Sequence, residues 1–171
     1  MDTGPGGEQM EVRRAEQDEV DRLATIWYDG WQDAHAELLP AELARERTRV
    51  SMHARLTAAL PSVRVVGPSG APVGFSMTRD DQLYQLYVSA EARGSGAAAA
   101  LVAEVETRML EAGVRVAWLA CAIGNVRAAR FYEKCGWRLR GTVIERLTLS
   151  NGELDLEVWR YEKALTPTSR A

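Results

Sequence analysis

The chain has 171 residues, 46% hydrophobic and 26% charged, with a formal net charge of −3. This composition excludes disordered and collagen-like proteins, and the length predicts a single domain that buries its core without disulfide bonds. Both signs of charge are interspersed along the chain, which argues against a nucleic-acid partner because such binders carry basic patches.

The cysteines and histidines predict neither a metal site nor a disulfide. Cys121 and Cys135 form no C-x-x-C pair, and His35 and His53 lie in no spaced cluster with them, so we expect free thiols in a reducing compartment. The first ten residues are acidic and glycine-rich, unlike a signal peptide, and no apolar run has the length of a membrane span. We therefore expect a cytoplasmic protein without a membrane partner.

Hydrophobic periodicity and turn signals predict a strand, two helices, three antiparallel strands, a helix, a strand, a short helix and two final strands. In chain order these elements are 11–14, 17–34, 41–60, 63–66, 73–78, 83–88, 95–112, 114–121, 125–134, 137–149 and 153–162. Flexible tails, 1–9 and 166–171, are expected on either side of a single domain, 10–165. The pattern predicts a mixed sheet with helices on both faces and a right-handed parallel crossover from 83 to 121.

A glycine-containing loop follows the strand that ends at Val88. Its backbone N–H groups and the positive end of the helix after it suit a pyrophosphate, and its small residues let a ligand approach the backbone. The residues that we assign to this loop are Arg93, Gly94, Ser95, Gly96, Ala97 and Ala98.

Two other interpretations of this loop stay open on the segment alone. It is also typical of a simple turn before a helix, and residues 94–99 satisfy the dinucleotide pattern G-x-G-x-x-A. That pattern requires the strand to run almost directly into the first glycine and an acid at the end of the next strand. Here 89–93 intervenes, and 114–121 ends without an acid.

Two blocks carry a family resemblance. Arg93, Gly96 and Ala98 match the signature R/Q-x-x-G-x-G/A, and 125–137, which reads NVRAARFYEKCGW, matches N-x-x-A-x-x-F-Y-x-x-x-G-F with Trp137 in place of the common Phe. With both blocks in the expected order, the chain resembles the GNAT N-acetyltransferases over about 11–165. The resemblance implies an α/β (mixed α+β) fold, with a mostly antiparallel sheet, one splayed parallel strand pair and helices on both faces.

The resemblance also implies the cofactor and the residues that hold it. Acetyl-CoA is expected as co-substrate, with its pantetheine arm along the backbone of Leu86 and Val88 and its pyrophosphate on the loop 93–98. The N–H of Val88 is expected to bond the acetyl carbonyl, where it stabilises developing negative charge. Asn125 is expected on the pantetheine arm, although it also suits a helix N-cap.

Tyr132 corresponds to the family tyrosine near the CoA sulfur, so the resemblance implies that it protonates the leaving thiolate; the alternative is a core tyrosine. The sequence does not reveal the general base that the amine requires. No acid lies between Gln82 and Val88, and the candidates around the end of the first helix are Asp29, Asp33, His35 and Glu37. A covalent route through Cys121 is a minor alternative.

The acceptor is an amine that the sequence does not identify. Trp31 and His35, with Tyr84, are weak candidates for its binding site. The segment 27–31, with His35 and Glu37, forms an aromatic and acidic cluster that could hold a cationic amine by ion pairing and cation–π contact, but a buried helix face explains Trp27 and Trp31 equally well.

Two functions compete: a direct acetyl transfer to a small-molecule or protein amine, and a catalytically inactive acyl-CoA-binding sensor or interaction module. Relatives of this family are often homodimers, and the apolar final hairpin, 137–162, is a candidate interface. The alternative is that this hairpin packs on helices of its own chain.

Overall fold

The computed structural model describes residues 10–167, so the predicted N-terminal tail and all but two residues of the C-terminal tail lie outside the described residues. The α-helices of this described part are α1 (Val20–His35), α2 (Ala41–Glu46), α3 (Arg49–Ala58), α4 (Ala97–Glu111) and α5 (Val126–Lys134). The strands are β1 (Val12–Arg14), β2 (Val63–Val66), β3 (Gly74–Arg79), β4 (Gln82–Val88), β5 (Val116–Ala122), β6 (Arg138–Leu149) and β7 (Gly152–Ala164).

The strands form one sheet in the order β1-β2-β3-β4-β5-β7-β6. All neighbours are antiparallel except β4 and β5, which are parallel and connected through α4. One face of the sheet packs on α1, α2 and α3, and the other on α4 and α5. The predicted fold class is thus confirmed.

The parallel pair of strands opens toward its carboxyl ends. Only Gln82 and Trp118 pair across it, so β4 and β5 have separated by the time they reach Val88 and Ala122. A β-bulge in β4 contributes, because Met77 pairs with Gln85 while Thr78 pairs with Leu83. Tyr84 is therefore an extra residue, and a bulge of this kind bends its strand. The opening leaves backbone groups of β4 free to bind a ligand.

The segment 41–60 forms two helices instead of the single helix that its apolar pattern predicts. Thr48 interrupts it in an extended conformation and accepts a hydrogen bond from the Ser51 N–H, while the Ser51 hydroxyl accepts one from the Thr48 N–H. This reciprocal cap ends the first helix at Glu46 and starts the second at Arg49. The break places Arg47 in a non-helical position between them.

The final hairpin covers much of its apolar surface with its own chain. Leu149 and Val158 are buried, and Leu147, Leu154 and Leu156 pack against the core under α1 and α3. Ile144 stays 62% exposed. Most of the residues that suggested an interface are therefore used within the protomer, and the homodimer stays a prediction.

None of the helices in residues 10–167 combines the length and the apolar character that a membrane-spanning helix needs.

Candidate functional site

A cleft of about 650 Å³ lies between α1 and the end of β4, a volume ordinary for a ligand site. From α1 it is lined by residues that include Ile26, Gly30 and Asp33, and from the opposite side by Val88 and Arg93. The cleft therefore connects the end of the opened strand with the loop that the sequence assigns to phosphate.

The backbone N–H of Val88 points into the strand opening. The next N–H, that of Ser89, donates to the Val73 carbonyl at 2.8 Å and so faces β3. Because successive N–H groups of a strand point to opposite edges, those of Val88 and Leu86 face the gap toward β5. This places two donors along the open edge, as the sequence predicts for the cofactor-binding strand.

Gly94 and Gly96 shape the loop before α4. Both adopt positive φ, +78° and +90°, and a Cβ built on either would meet no atom within 4 Å. Positive φ explains why glycine is needed, and the empty space beside both residues is room for a ligand against the backbone.

The loop also presents unused donors. The N–H groups of Arg93 and Ser95 are bonded within the loop, and Ala97 N–H lies 3.3 Å from the Ser95 hydroxyl. Among the described residues, the N–H groups of Gly94, Gly96 and Ala98 have no acceptor. Free donors beside open space at the N-terminus of a fifteen-residue helix fit a pyrophosphate.

The side chain of Arg93 is engaged by α1. Its guanidinium lies 2.6 Å from the Asp33 carboxylate, and Arg127 at the start of α5 lies 3.6 Å from the same carboxylate. The hydrogen bond and charge of Arg93, with a smaller effect of Arg127, hold the pKa of Asp33 below its usual value. Asp33, one of the candidate bases, is thus a salt-bridge acceptor here.

Tyr132 lies on α5 among aromatic rings, with ring centroids 6.4 Å from Trp137 and 6.3 Å from Tyr161. Burial, with a smaller effect of Cys121, raises its pKa, so the phenol stays protonated at neutral pH. The neighbouring Tyr161 hydroxyl donates to Glu133 at 3.2 Å, whereas no hydrogen bond of the Tyr132 hydroxyl is found within residues 10–167. A protonated hydroxyl in this position is available to donate to a ligand.

Cys121 is 4% exposed on β5. Burial raises the pKa of its thiol to about 11, and its sulfur lies 3.8 Å from the Ala122 carbonyl. The nucleophilic form of cysteine is the thiolate, which is scarce at neutral pH in this environment. The covalent alternative therefore finds no support.

Asn125 caps α5, because its side-chain oxygen accepts a hydrogen bond from Ala128 N–H at 3.3 Å. This is the structural role that the sequence left open beside the cofactor role. Trp137, the departure from the family pattern, is buried and donates its indole N–H to Glu106 at 2.9 Å. A hydrogen-bond partner for the indole explains how tryptophan fits at this position.

His35 and Tyr87 meet on the α1 side of the sheet, with the Tyr87 hydroxyl 3.4 Å from Nδ1 of His35. Burial lowers the pKa of His35 to about 4, so the imidazole is neutral at physiological pH. Gly30 permits this arrangement, because a Cβ there would lie 2.5 Å from the Tyr87 ring. Trp31 is 4% exposed and packs beside His35 within the core.

The other candidate bases lie at the surface. Asp29 is exposed and lies 3.6 Å from Arg49, and Glu37 is exposed too. His35, by contrast, contacts Tyr87, the residue before Val88.

One cluster of arginine and tyrosine side chains was not predicted from the sequence. Tyr84, a predicted acceptor residue, takes a hydrogen bond of 2.6 Å from Arg55, and Arg79 stacks 3.5 Å from its ring centroid. Arg47 is half-buried and lies within electrostatic range of Arg55, Tyr84 and Tyr87. Nothing in the local sequence marks these arginines, because the helix break and the packing of α3 on the sheet bring them together.

Comparison with known proteins gives the family. The model described as "Acetyltransferase (GNAT) family" matches residues 20–137. Uncharacterized N-acetyltransferases from Mycobacterium tuberculosis and Mycobacterium bovis are each 39% identical over 83 residues, covering 46% of this chain and 53% of theirs. The chain thus spans about half the length of the curated relatives that it matches.

Solved structures share the fold. A GCN5-related N-acetyltransferase from Rhodopseudomonas palustris superposes with a TM-score of 0.70 at 19% identity, over 94% of this chain and 100% of the other. A phosphinothricin acetyltransferase from Sinorhizobium meliloti, in complex with acetyl-CoA, gives 0.65 at 19% identity, over 95% and 92%. At this identity the likeness concerns the fold alone.

Proposed function

Because the chain belongs to the GNAT acetyltransferase family, we propose that it transfers the acetyl group of acetyl-CoA to a primary amine by direct attack. The observation that carries the proposal is the open edge of β4. The free N–H of Val88 lies on this edge. The loop before α4, with its unbonded N–H groups, follows Val88 in the chain, and the side chain of Tyr87, the preceding residue, lies on the α1 side of the sheet.

The loop residues Gly94, Gly96 and Ala98 would hold the pyrophosphate through their free N–H groups, and the edge of β4 would hold the pantetheine arm. Bound in this way, acetyl-CoA supplies an activated acyl group. The Val88 N–H donates to the acyl oxygen, and this bond strengthens as negative charge develops there. The donor is fixed in a strand, so little reorganisation accompanies the reaction.

Two side chains would move protons. Tyr132, kept protonated by burial, donates to the departing sulfur. On the amine side, His35 is neutral at physiological pH and can accept a proton through the Tyr87 hydroxyl or a water. Its low pKa makes it a weak base, so we expect the amine to lose its proton largely on leaving bulk water.

The high pKa of the Cys121 thiol supports direct attack of the amine on acetyl-CoA over a route through an acetyl-cysteine intermediate.

We further propose a cytoplasmic location for the protein.

Release of free CoA thiol, followed for purified protein with acetyl-CoA and a panel of amines, tests the function. Amine-dependent release above the hydrolysis background is expected. Acetyl-CoA should also raise the melting temperature, while NADH should not. A melting shift with no transfer to any amine would favour the inactive acyl-CoA-binding module, and neither response would contradict the proposal.

A further inference from the structure

Among the half-buried arginine and lysine side chains of residues 10–167, two lack a carboxylate partner. Those with a carboxylate within 4.0 Å are Arg13, Arg64, Arg108, Arg160 and Lys163. Arg47 and Arg55 are also half-buried and have no carboxylate within 4.0 Å in the described part of the chain, although the charge of Glu46 acts on Arg47 from further away. Charges withdrawn from water are normally paired, so these two lack a counterion that their environment favours.

The two arginines also repel each other. Burial lowers the pKa of Arg47, and the neighbouring charge of Arg55 lowers it further. An anion bound near both guanidinium groups would offset both effects, since an opposite charge stabilises the ionised form.

Two contacts fix the Arg55 guanidinium in a position where it can bind such an anion. It donates to the Tyr84 hydroxyl at 2.6 Å, and its guanidinium lies 4.4 Å from the Trp27 ring centroid. A planar guanidinium fixed by stacking matches a carboxylate in a two-pronged geometry. The same contact removes Trp27 as a cation–π site for a substrate, because a cation of the protein already lies against its ring.

The arginines lie on the acceptor side of the proposed reaction site. Arg47 is within electrostatic range of Tyr84 and Tyr87, and Tyr87 immediately precedes Val88. Arg55 contacts Tyr84, which lies four residues before Val88, or about 13 Å along a regular strand, so Arg55 lies beside the reacting position and not at it.

We propose that the acceptor is a small amine bearing a carboxylate several bonds from its nitrogen, and that Arg47 and Arg55 bind that carboxylate. This inference rests on the proposed function and names the class of its substrate. It replaces the cationic amine that the aromatic and acidic residues of α1 suggest in the sequence.

The test compares amines that differ only in the acid. β-Alanine, γ-aminobutyrate and ε-aminocaproate are each assayed against their primary amides for acetyl-CoA-dependent transfer, and for binding to the CoA-loaded protein by calorimetry. We expect at least one acid to exceed its amide in kcat/KM and in affinity by about tenfold or more, since hydrogen bonds to charged groups are stronger than neutral ones.

Variants assign the effect to the arginines. Arg47→Gln and Arg55→Gln should each abolish most of the preference for the acid, because transfer to the acid falls much more than transfer to the amide. Arg45→Gln, at an exposed position of α2 two residues before Arg47, is the matched control and should keep the preference. An unchanged melting shift with acetyl-CoA shows that the variants fold and bind the cofactor.

Three results would overturn the inference: amides equal to their acids, equal losses for acid and amide in Arg47→Gln, or no binding of any acid at millimolar concentration. If amines are acetylated regardless of the carboxylate, the inference fails and the acetyltransferase function stands. If no amine of any kind is acetylated, the proposed function fails with it.

Discussion

The Asp33 carboxylate on α1 lies 2.6 Å from the Arg93 guanidinium in the loop before α4. The same carboxylate lies 3.6 Å from Arg127 at the start of α5. It therefore connects α1 with the two elements that follow the opened strands β4 and β5. Arg93 belongs to the loop to which the sequence assigns the pyrophosphate, so the carboxylate competes for the cation that a phosphate would use.

Asp33→Asn is expected to bind CoA more tightly. The change removes a negative charge beside the phosphate loop and releases Arg93, which should raise affinity roughly three- to tenfold at low ionic strength and less as salt screens the charges. Calorimetric titration with CoA at two salt concentrations measures the effect. Asp29→Asn removes an exposed carboxylate from the same helix, paired with Arg49, and should change little. Weaker binding by Asp33→Asn would instead make Asp33 a support for the loop.

A pair of glycine substitutions separates ligand binding from backbone strain. Gly96 and Gly113 both have φ of +90° with no atom within 4 Å of an added Cβ, and they lie at opposite ends of α4. Either change to Ala should destabilise the fold by roughly 1–2 kcal/mol. Only Gly96→Ala should also weaken CoA binding, because its methyl group fills the space beside the free N–H groups. Equal CoA affinity in the two variants would place the pyrophosphate elsewhere.

Tyr132→Phe is expected to lower turnover by about 10² to 10⁴ with little change in acetyl-CoA affinity. The substitution removes one hydroxyl and leaves the ring packing on Trp137 and Tyr161. Tyr161→Phe is the matched control. The Tyr161 hydroxyl donates a hydrogen bond to Glu133 at 3.2 Å, and the proposed mechanism gives it no role. If single-turnover rates show Tyr132→Phe transferring as fast as wild type, the phenol has a packing role only.

Cys121→Ser should retain most of the activity, because the proposed transfer is direct and the thiol stays protonated at neutral pH. A burst of labelled acetyl-protein in the wild type, absent from Cys121→Ser, would instead support the covalent route. Mass spectrometry of protein quenched during turnover distinguishes the two outcomes.

The elements and motifs that depend on neighbours along the chain could be predicted from the sequence. Gly94 and Gly96 mark positive φ, and Asn125 marks a helix start, because turns and caps use local chemistry. The splayed strand pair followed from the family resemblance. These expectations about the fold are confirmed, while the catalytic roles of Val88 and Tyr132 stay proposals.

Two features could not be read from the sequence, for different reasons. The Thr48–Ser51 cap is local, but the apolar pattern of 41–60 continues through it, and Ser51 lacks the acidic or amide side chain that usually signals such a cap. Arg55 meets Tyr84 only because α3 packs on the sheet. For the same reason the sequence suggested an acidic acceptor site, where the structure brings cations together.

The neutral state of His35 predicts how stability depends on pH. Its pKa is 6.5 in its ordinary state and about 4 in the fold, lowered by burial. Between these values the unfolded chain binds a proton that the folded chain does not, so the free energy of unfolding decreases as the pH falls from 6.5 to 4. The loss reaches about 3 kcal/mol at the lower end.

His35→Asn removes the titrating group and keeps a polar atom near the position of Nδ1, within reach of the Tyr87 hydroxyl. Its free energy of unfolding, from urea titrations at several pH values, should therefore decrease less than that of the wild type across this window. The other histidine, His53, lies on α3 beside Asp21, and His53→Asn should retain the wild-type decrease below pH 6.5. If His35→Asn and wild type have parallel pH profiles, His35 is solvated in the folded protein, and its contact with Tyr87 does not exclude water from the acceptor side of the cleft.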